Sequence, residues 1–154
     1  MTTATKTVGG VVIAVVAILG VVFFARSSSG SGGPPEISIT DAYASQTTSD
    51  GSSAMYMTIQ NKGGSDHIVG VIAGGAHTVS IHDAAMAPQT RLTVKGHADT
   101  ELTPGDTHIM LEGFSQPLLP GGQVGVRLLF EHSAPVDVTA RVLSYDQVNA
   151  KAGA

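Results

Sequence analysis

Two pairs of histidine and methionine are the residues of this sequence whose types and spacing predict chemistry. His82 and Met86 occur in the segment HTVSIHDAAM, and His108 and Met110 occur in the segment THIMLEG. Imidazole nitrogen accepts copper, zinc or nickel, whereas the soft, neutral thioether sulfur of methionine favours Cu(I). A zinc or calcium site would instead recruit carboxylates or thiolates. Because all four side chains are neutral, they predict a site for the monovalent copper ion.

The second pair lies in a segment whose pattern predicts a β-strand. Successive side chains of a strand point to opposite faces, so Ile109 and Leu111 share one face, and their apolar character makes it the core face. His108 and Met110 then share the other face. Two simpler explanations of Met110 remain open: a strand buried on both faces, or a methionine exposed by chance.

The same alternation predicts the face on which the histidine of the first pair lies. Val79 and Ile81 point toward the core, which places His82 on the opposite face. Met86 lies four residues beyond His82, across an Ala-Ala turn. His77 is an alternative first ligand, but the alternation places it on the core-directed face, so His82 is preferred.

Neighbouring polar residues have two interpretations each. Asp83, next to His82, and Glu112, on the face of His108, are candidates for accepting a hydrogen bond from a ligand imidazole. Asp83 can equally be a turn residue. The other histidines, at positions 67, 97 and 132, fall in polar turns or at a strand start and are interpreted as surface residues.

The composition excludes several other kinds of site. The sequence has no cysteine, which excludes disulfides, cysteine-ligated zinc, iron–sulfur clusters, a blue-copper site and a lipid anchor built on cysteine. Eight basic against twelve acidic residues give a net charge of −4, so nucleic acid is not an expected partner. No nucleophile elbow, phosphate-binding glycine loop, HExxH motif or paired carboxylates are present, and we therefore predict that the protein is not an enzyme.

The first 35 residues differ from the rest of the chain. Residues 7–25 carry no charge, and a helix of that length, about 28 Å, matches the ~30 Å hydrocarbon core of a bilayer. We predict an N-terminal transmembrane helix acting as membrane anchor over 1–26, with a cleaved signal peptide as the alternative, and a Ser/Gly/Pro linker over 27–35. The protein is then a single-pass bacterial membrane protein with its domain on the extracytoplasmic side.

The remaining sequence predicts one all-β domain. Short β-rich runs near 36–44, 54–60, 67–73, 77–83, 90–94, 107–112, 123–130 and 136–143 are separated by turn residues. This spacing predicts an antiparallel, Ig-like β-sandwich with Greek-key connections. The domain is expected to span 36–147, followed by a disordered tail over 148–154.

At this point the sequence resembles the periplasmic PCu(A)C-type copper chaperones. The spacing from Met86 to the triplet His108-Ile109-Met110 matches that family's Met-x21-His-x-Met motif, and the segments AMYMTIQN, ELTPGDTHIML and GFSQPLLPGG are also similar. The resemblance covers residues 37–143. The interval between His82 and Met86 is shorter than in the family, which indicates a shortened hairpin.

This resemblance implies a cupredoxin-like fold that binds Cu(I) through histidine and methionine. It also implies delivery of copper towards the CuA centre of cytochrome c oxidase, with a Sco-type protein or oxidase subunit II as partner. The competing hypothesis is a non-metal interaction or adhesion module. That alternative predicts that the two His–Met pairs lie far apart in the folded domain.

Overall fold

The computed structural model describes residues 32–154. The predicted anchor (1–26) and the first part of the linker (27–31) lie outside the described residues. Within residues 32–154, no helix is long and apolar enough to cross a membrane.

Strands dominate the described part of the chain. Each of the eight predicted β-rich runs contains a strand, and the structure adds two short strands that the sequence pattern missed, Pro88–Gln89 and Ala98–Leu102. In chain order the elements are β1 Ile37–Ser45, β2 Ser53–Asn61, β3 Asp66–Ala73, β4 Thr78–His82, β5 Pro88–Gln89, β6 Leu92–Val94, β7 Ala98–Leu102, β8 His108–Glu112, β9 Gln123–Phe130, β10 Val136–Leu143 and α1 Tyr145–Ala152.

All strands belong to one sheet in the order β5-β4-β8-β2-β1-β10-β9-β3-β6, with β7 also paired to β2. The sheet curls around the core into a nearly closed barrel, so its opposing walls pack face to face as in a sandwich. The all-β prediction is confirmed. The expectation of a purely antiparallel sheet is wrong at one place, because β1 pairs with β10 in parallel.

The core follows from alternation along the strands. In β9, Val124, Val126, Leu128 and Phe130 are buried while the residues between them are more exposed. Full burial of such a side chain contributes about 1.5–3 kcal/mol. Ile109 and Leu111 of β8 are fully buried in the same core, as predicted.

Helix α1 occupies the segment for which a disordered tail was predicted from residue 148. The Ser144 side chain accepts a hydrogen bond from the Gln147 N–H, and the Gln147 side chain accepts one from the Ser144 N–H, a reciprocal pair that defines the start of the helix. Val148 is buried against the barrel. The short helix is therefore stabilised by its cap and by packing rather than by its length.

The end of the linker is built into the domain at the C-terminal end of β2. Asn61 Oδ1 accepts hydrogen bonds from the Glu36 N–H (3.1 Å) and the Gly63 N–H (3.0 Å). A Cβ at Gly63 would lie 1.9 Å from the Pro34 carbonyl oxygen, so only glycine fits there.

A buried carboxylate ties the start of β3 to the turn after β9. Asp66 is fully buried and accepts hydrogen bonds from the N–H of His67 (2.7 Å), the N–H of His132 (3.0 Å), and the N–H and hydroxyl of Ser133 (2.8 and 2.5 Å). Burial raises the pKa of Asp66, but the hydrogen bonds from the Ser133 hydroxyl and the three N–H groups outweigh this effect. The net pKa lies below its ordinary value.

Replacing this carboxylate is expected to destabilise the fold. Asp66→Asn removes the charge and leaves donors unpaired, so we expect a loss of about 1–3 kcal/mol in the free energy of unfolding at pH 7. Because the folded pKa is depressed, the wild-type contribution is complete above the unfolded pKa of about 3.9 and is lost as pH falls through the folded pKa. Urea denaturation between pH 7 and pH 2 measures both effects.

The exposed Asp99 provides a matched control, since Asp99→Asn is expected to change stability by less than about 0.5 kcal/mol. Equal stability of Asp66→Asn and wild type at pH 7 would contradict the assigned role of Asp66.

Candidate metal site

The two predicted ligand histidines lie directly opposite each other on neighbouring strands. His82 of β4 pairs with His108 of β8, and their ring centroids are 5.9 Å apart with planes inclined by 68°. A metal–imidazole bond is about 2.0–2.1 Å long and a ring nitrogen lies about 1.2 Å from its centroid, so rings sharing one ion have centroids within about 6.5 Å. The separation of the two rings is therefore compatible with a shared ion.

The backbone holds one ring nitrogen of His108 and leaves the other available. His108 is buried, and its Nδ1 lies 2.7 Å from the carbonyl oxygen of Asp106. A carbonyl only accepts hydrogen bonds, so Nδ1 carries the hydrogen and Nε2 carries the lone pair. A metal-binding histidine is oriented in the same way, by a carbonyl that accepts from its second ring nitrogen.

His82 also presents a ring nitrogen without a partner. Its Nε2 lies 3.1 Å from the Ser80 hydroxyl, whereas its Nδ1 is buried and has no hydrogen-bond partner. An unpartnered buried nitrogen costs about 1–3 kcal/mol. With Nε2–H donating to Ser80, Nδ1 carries a lone pair that a soft cation would satisfy.

The two methionines occupy different positions around the imidazoles. Met110 is half-buried and pairs with Ser80 of β4 on one side and with Ala54 of β2 on the other, one step along the same face as His108. Met86 lies in the β4–β5 hairpin loop that follows His82, and 56% of its surface is exposed. Three candidate ligands therefore lie on one face of the sheet, and the fourth, Met86, lies in the neighbouring hairpin loop.

Two aromatic side chains that the sequence pattern did not assign to the site lie next to it on the same face of the sheet. Tyr56 of β2 lies beside His108, with ring centroids 6.2 Å apart, and Tyr43 of β1 lies 5.1 Å from Tyr56. The two tyrosines and Val148 of α1 form a second small core. Burial raises the pKa of Tyr56, with a further contribution from Tyr43. Alternation from Ala54 places Tyr56 on this face, but only the strand pairing shows that it meets His108.

The structure assigns different roles to the neighbouring polar residues. The carboxylate of Asp83 accepts hydrogen bonds from its own loop and from Gln89 rather than from an imidazole. Glu112 pairs with Thr78. It lies four residues beyond His108, which is about 13 Å along strand β8, so its carboxylate is too far away to contact the imidazole. The group that accepts from His108 Nδ1 is instead the carbonyl of Asp106, which the sequence did not indicate.

The remaining histidines lie away from this face. His67 faces Glu131, with 3.1 Å between Nδ1 and the carboxylate oxygen, and the side chains at 97 and 132 are exposed. His77 precedes β4 and is also exposed. Within residues 32–154 no cluster of three or more His, Cys, Asp or Glu could hold a metal.

Several solved structures share this fold. The "Copper-bound PCuAC domain from PmoF2" superposes with a TM-score of 0.64 at 21% identity, covering 73% of this chain and 97% of that chain. The "Apo PCuAC domain from PmoF1" gives 0.66 at 19% identity, covering 73% and 98%. The solution structure of "CuI-DR1885" from Deinococcus radiodurans gives 0.57 at 25% identity, covering 68% and 78%. The domain therefore has the PCuAC fold.

The family assignment is more specific. The family model "LpqE-like" matches residues 37–142, which is most of the domain, and the chain belongs to this family. This sequence has no cysteine on which a lipid anchor could be built. No curated protein matches the chain.

The backbone contact of His108 predicts its tautomer. In the copper-free protein at neutral pH, we expect His108 to carry its hydrogen on Nδ1, because the Asp106 carbonyl is 2.7 Å away. Two-bond ¹H–¹⁵N correlation spectra distinguish the two tautomers directly. His77, which is exposed, serves as an internal control and is expected to populate both tautomers. An Nε2–H tautomer for His108 would contradict the assignment of Nε2 as the free nitrogen.

Proposed function

We propose that this protein is an extracytoplasmic copper chaperone that binds one Cu(I) ion through His82, Met86, His108 and Met110. The observation that carries the proposal is the direct pairing of His82 and His108, whose rings are 5.9 Å apart. The unpartnered Nδ1 of His82 and the backbone-held ring of His108 supply two available nitrogens. The match to copper-binding PCuAC domains supports the same conclusion.

The chemistry of these ligands favours Cu(I) and transfer over catalysis. Two imidazoles and two thioethers are neutral and include soft donors, which suits a +1 ion better than a hard divalent cation. Thioethers form no disulfides, so they remain available as ligands in an oxidising compartment. Met86 is exposed and therefore accessible to an incoming ligand of an acceptor protein. We accordingly propose a carrier and not an enzyme.

The cellular role follows from the sequence and the resemblance together. The apolar run within 7–25 and the linker favour a domain tethered outside the cytoplasmic membrane. The linker joins the domain at Asn61, five residues along β2 from Tyr56, about 17 Å from the site. The ligands therefore lie away from the tether.

We propose delivery towards the CuA centre of cytochrome c oxidase, with a Sco-type protein or oxidase subunit II as partner.

The alternative of a non-metal interaction module is less well supported. It predicts that the two His–Met pairs lie apart, whereas His82 and His108 lie side by side and Met110 shares their face.

Removing two ligands is expected to abolish copper binding. We expect wild type to bind one equivalent of Cu(I) under anaerobic conditions, and the double variant His108→Ala, Met110→Ala to lose more than about 100-fold in affinity, since even residues outside the ligand sphere affect affinity by 10–100-fold. Competition with a chromophoric Cu(I) chelator measures the affinities. His132→Ala, outside the site, is the matched control.

X-ray absorption of the copper-loaded protein identifies the ligand types. We expect both Cu–N and Cu–S scattering in wild type. If the double variant binds Cu(I) as tightly as wild type, the proposed site is wrong.

Transfer is tested separately from binding. The copper-loaded protein is mixed with the copper-free soluble domain of oxidase subunit II, the two are separated by size, and copper is measured in each. We expect copper to move to the subunit II domain. If this protein retains all of the copper, the proposed delivery to CuA is wrong and only the proposed copper binding stands.

A further inference from the structure

We infer that Asp83 is a positioning residue that holds the Met86 thioether at the copper site through its own loop. This inference rests on the proposed function, since it assigns a role in Cu(I) binding. Asp83 touches neither imidazole ring. Its effect on copper is therefore indirect and passes through the conformation of the β4–β5 loop.

Hydrogen bonds to Asp83 determine the shape of this loop. One carboxylate oxygen accepts from the N–H of Ala85 (2.9 Å) and of Ala87 (3.0 Å), and the other accepts from the Gln89 amide (2.8 Å). The main chain closes the same loop, because the Asp83 N–H donates to the Ala87 carbonyl (3.1 Å) and the Met86 N–H donates to the Asp83 carbonyl (3.0 Å). The loop is thus ordered from within by one side chain.

This network holds Met86 in a backbone conformation that side chains with a Cβ rarely adopt. Its φ angle is +61°, in the left-handed region that favours glycine. Packing does not explain the strain, because 56% of Met86 is exposed. Strained residues of this kind persist where the surrounding structure imposes them, often at functional sites.

The location of the loop links this strain to the copper site. The loop spans 83–87 and is closed by the pairing of His82 with Pro88, so it continues directly from a candidate ligand. His82 also carries the buried Nδ1 that has no partner. Glycine at position 86 would satisfy the backbone, but only methionine also supplies a soft sulfur in the loop that follows His82.

A double-mutant cycle separates this role from a general effect of Asp83. We expect Asp83→Ala to weaken Cu(I) binding by about 10–100-fold, the usual effect of removing a residue that orients a ligand. Asp83→Asn retains one oxygen acceptor and is expected to restore most of the affinity. In a Met86→Leu background, which has no sulfur to position, Asp83→Ala is expected to have no further effect.

The strain is tested without copper. Met86→Gly relieves the left-handed conformation, so we expect the melting temperature of the copper-free protein to rise by about 4 °C or more, while Cu(I) affinity falls. Met86→Leu is the matched control: it keeps the strain and loses the sulfur, so its affinity falls while its melting temperature stays at the wild-type value.

The outcomes distinguish this inference from the proposed function. If wild type binds no Cu(I), the proposed function fails. If wild type binds Cu(I) and Asp83→Ala binds it equally tightly, or if Asp83→Ala has the same effect with and without Met86, the positioning role fails and the function stands. Thermal melting of each variant identifies any that does not fold; if Asp83→Ala does not fold, Asp83→Leu, which also lacks an acceptor and is closer to aspartate in size, takes its place in the cycle.

Discussion

His82 and His108 stand opposite each other because β4 and β8 pair in one register, from Thr78–Glu112 to His82–His108. The side-chain period of a strand is two, so a slip of β4 by one residue would turn His82 into the core and expose Ile81. The buried residues of the two strands hold the register, because they fill the barrel interior only in this alignment. The site on the outer face is thus determined by packing on the inner face.

The outer face of the barrel is less exposed at the site than strand alternation alone suggests. The strand pairings and ring contacts place His82, His108, Tyr56 and Tyr43 in one row across β4, β8, β2 and β1. Helix α1 covers the tyrosine end of this row with Val148. One end of this row, at the tyrosines, is therefore buried, and the other end leads to the exposed hairpin loop that carries Met86. The proposed copper ion would have packed aromatic rings on one side and an accessible loop on the other.

The comparisons show how little of the sequence this architecture requires. Structures with the same fold are only 19–25% identical to this chain. What such folds share is the alternation of apolar and polar residues that builds the barrel, and many apolar residues satisfy it equally well.

The two ends of the barrel have different roles. Asn61 and Gly63 contact the linker at one end, while the candidate ligands lie toward the other end.

The sequence by itself determined the eight main strands, the core face of β8 and the outer positions of His82, His108 and Met110, because alternation is a local property that survives in any β-fold. Tertiary structure decided the rest. The parallel pairing of β1 with β10, the contact of Tyr56 with His108 and the anchoring of His108 on the Asp106 carbonyl depend on which strands become neighbours and where chain turns return. Strand β7 pairs with β2, which is distant in sequence, and a local pattern carries little information about such a contact. Strand β5 has only two residues, too few for an alternating pattern, and the local signal for α1 is its Ser144–Gln147 cap.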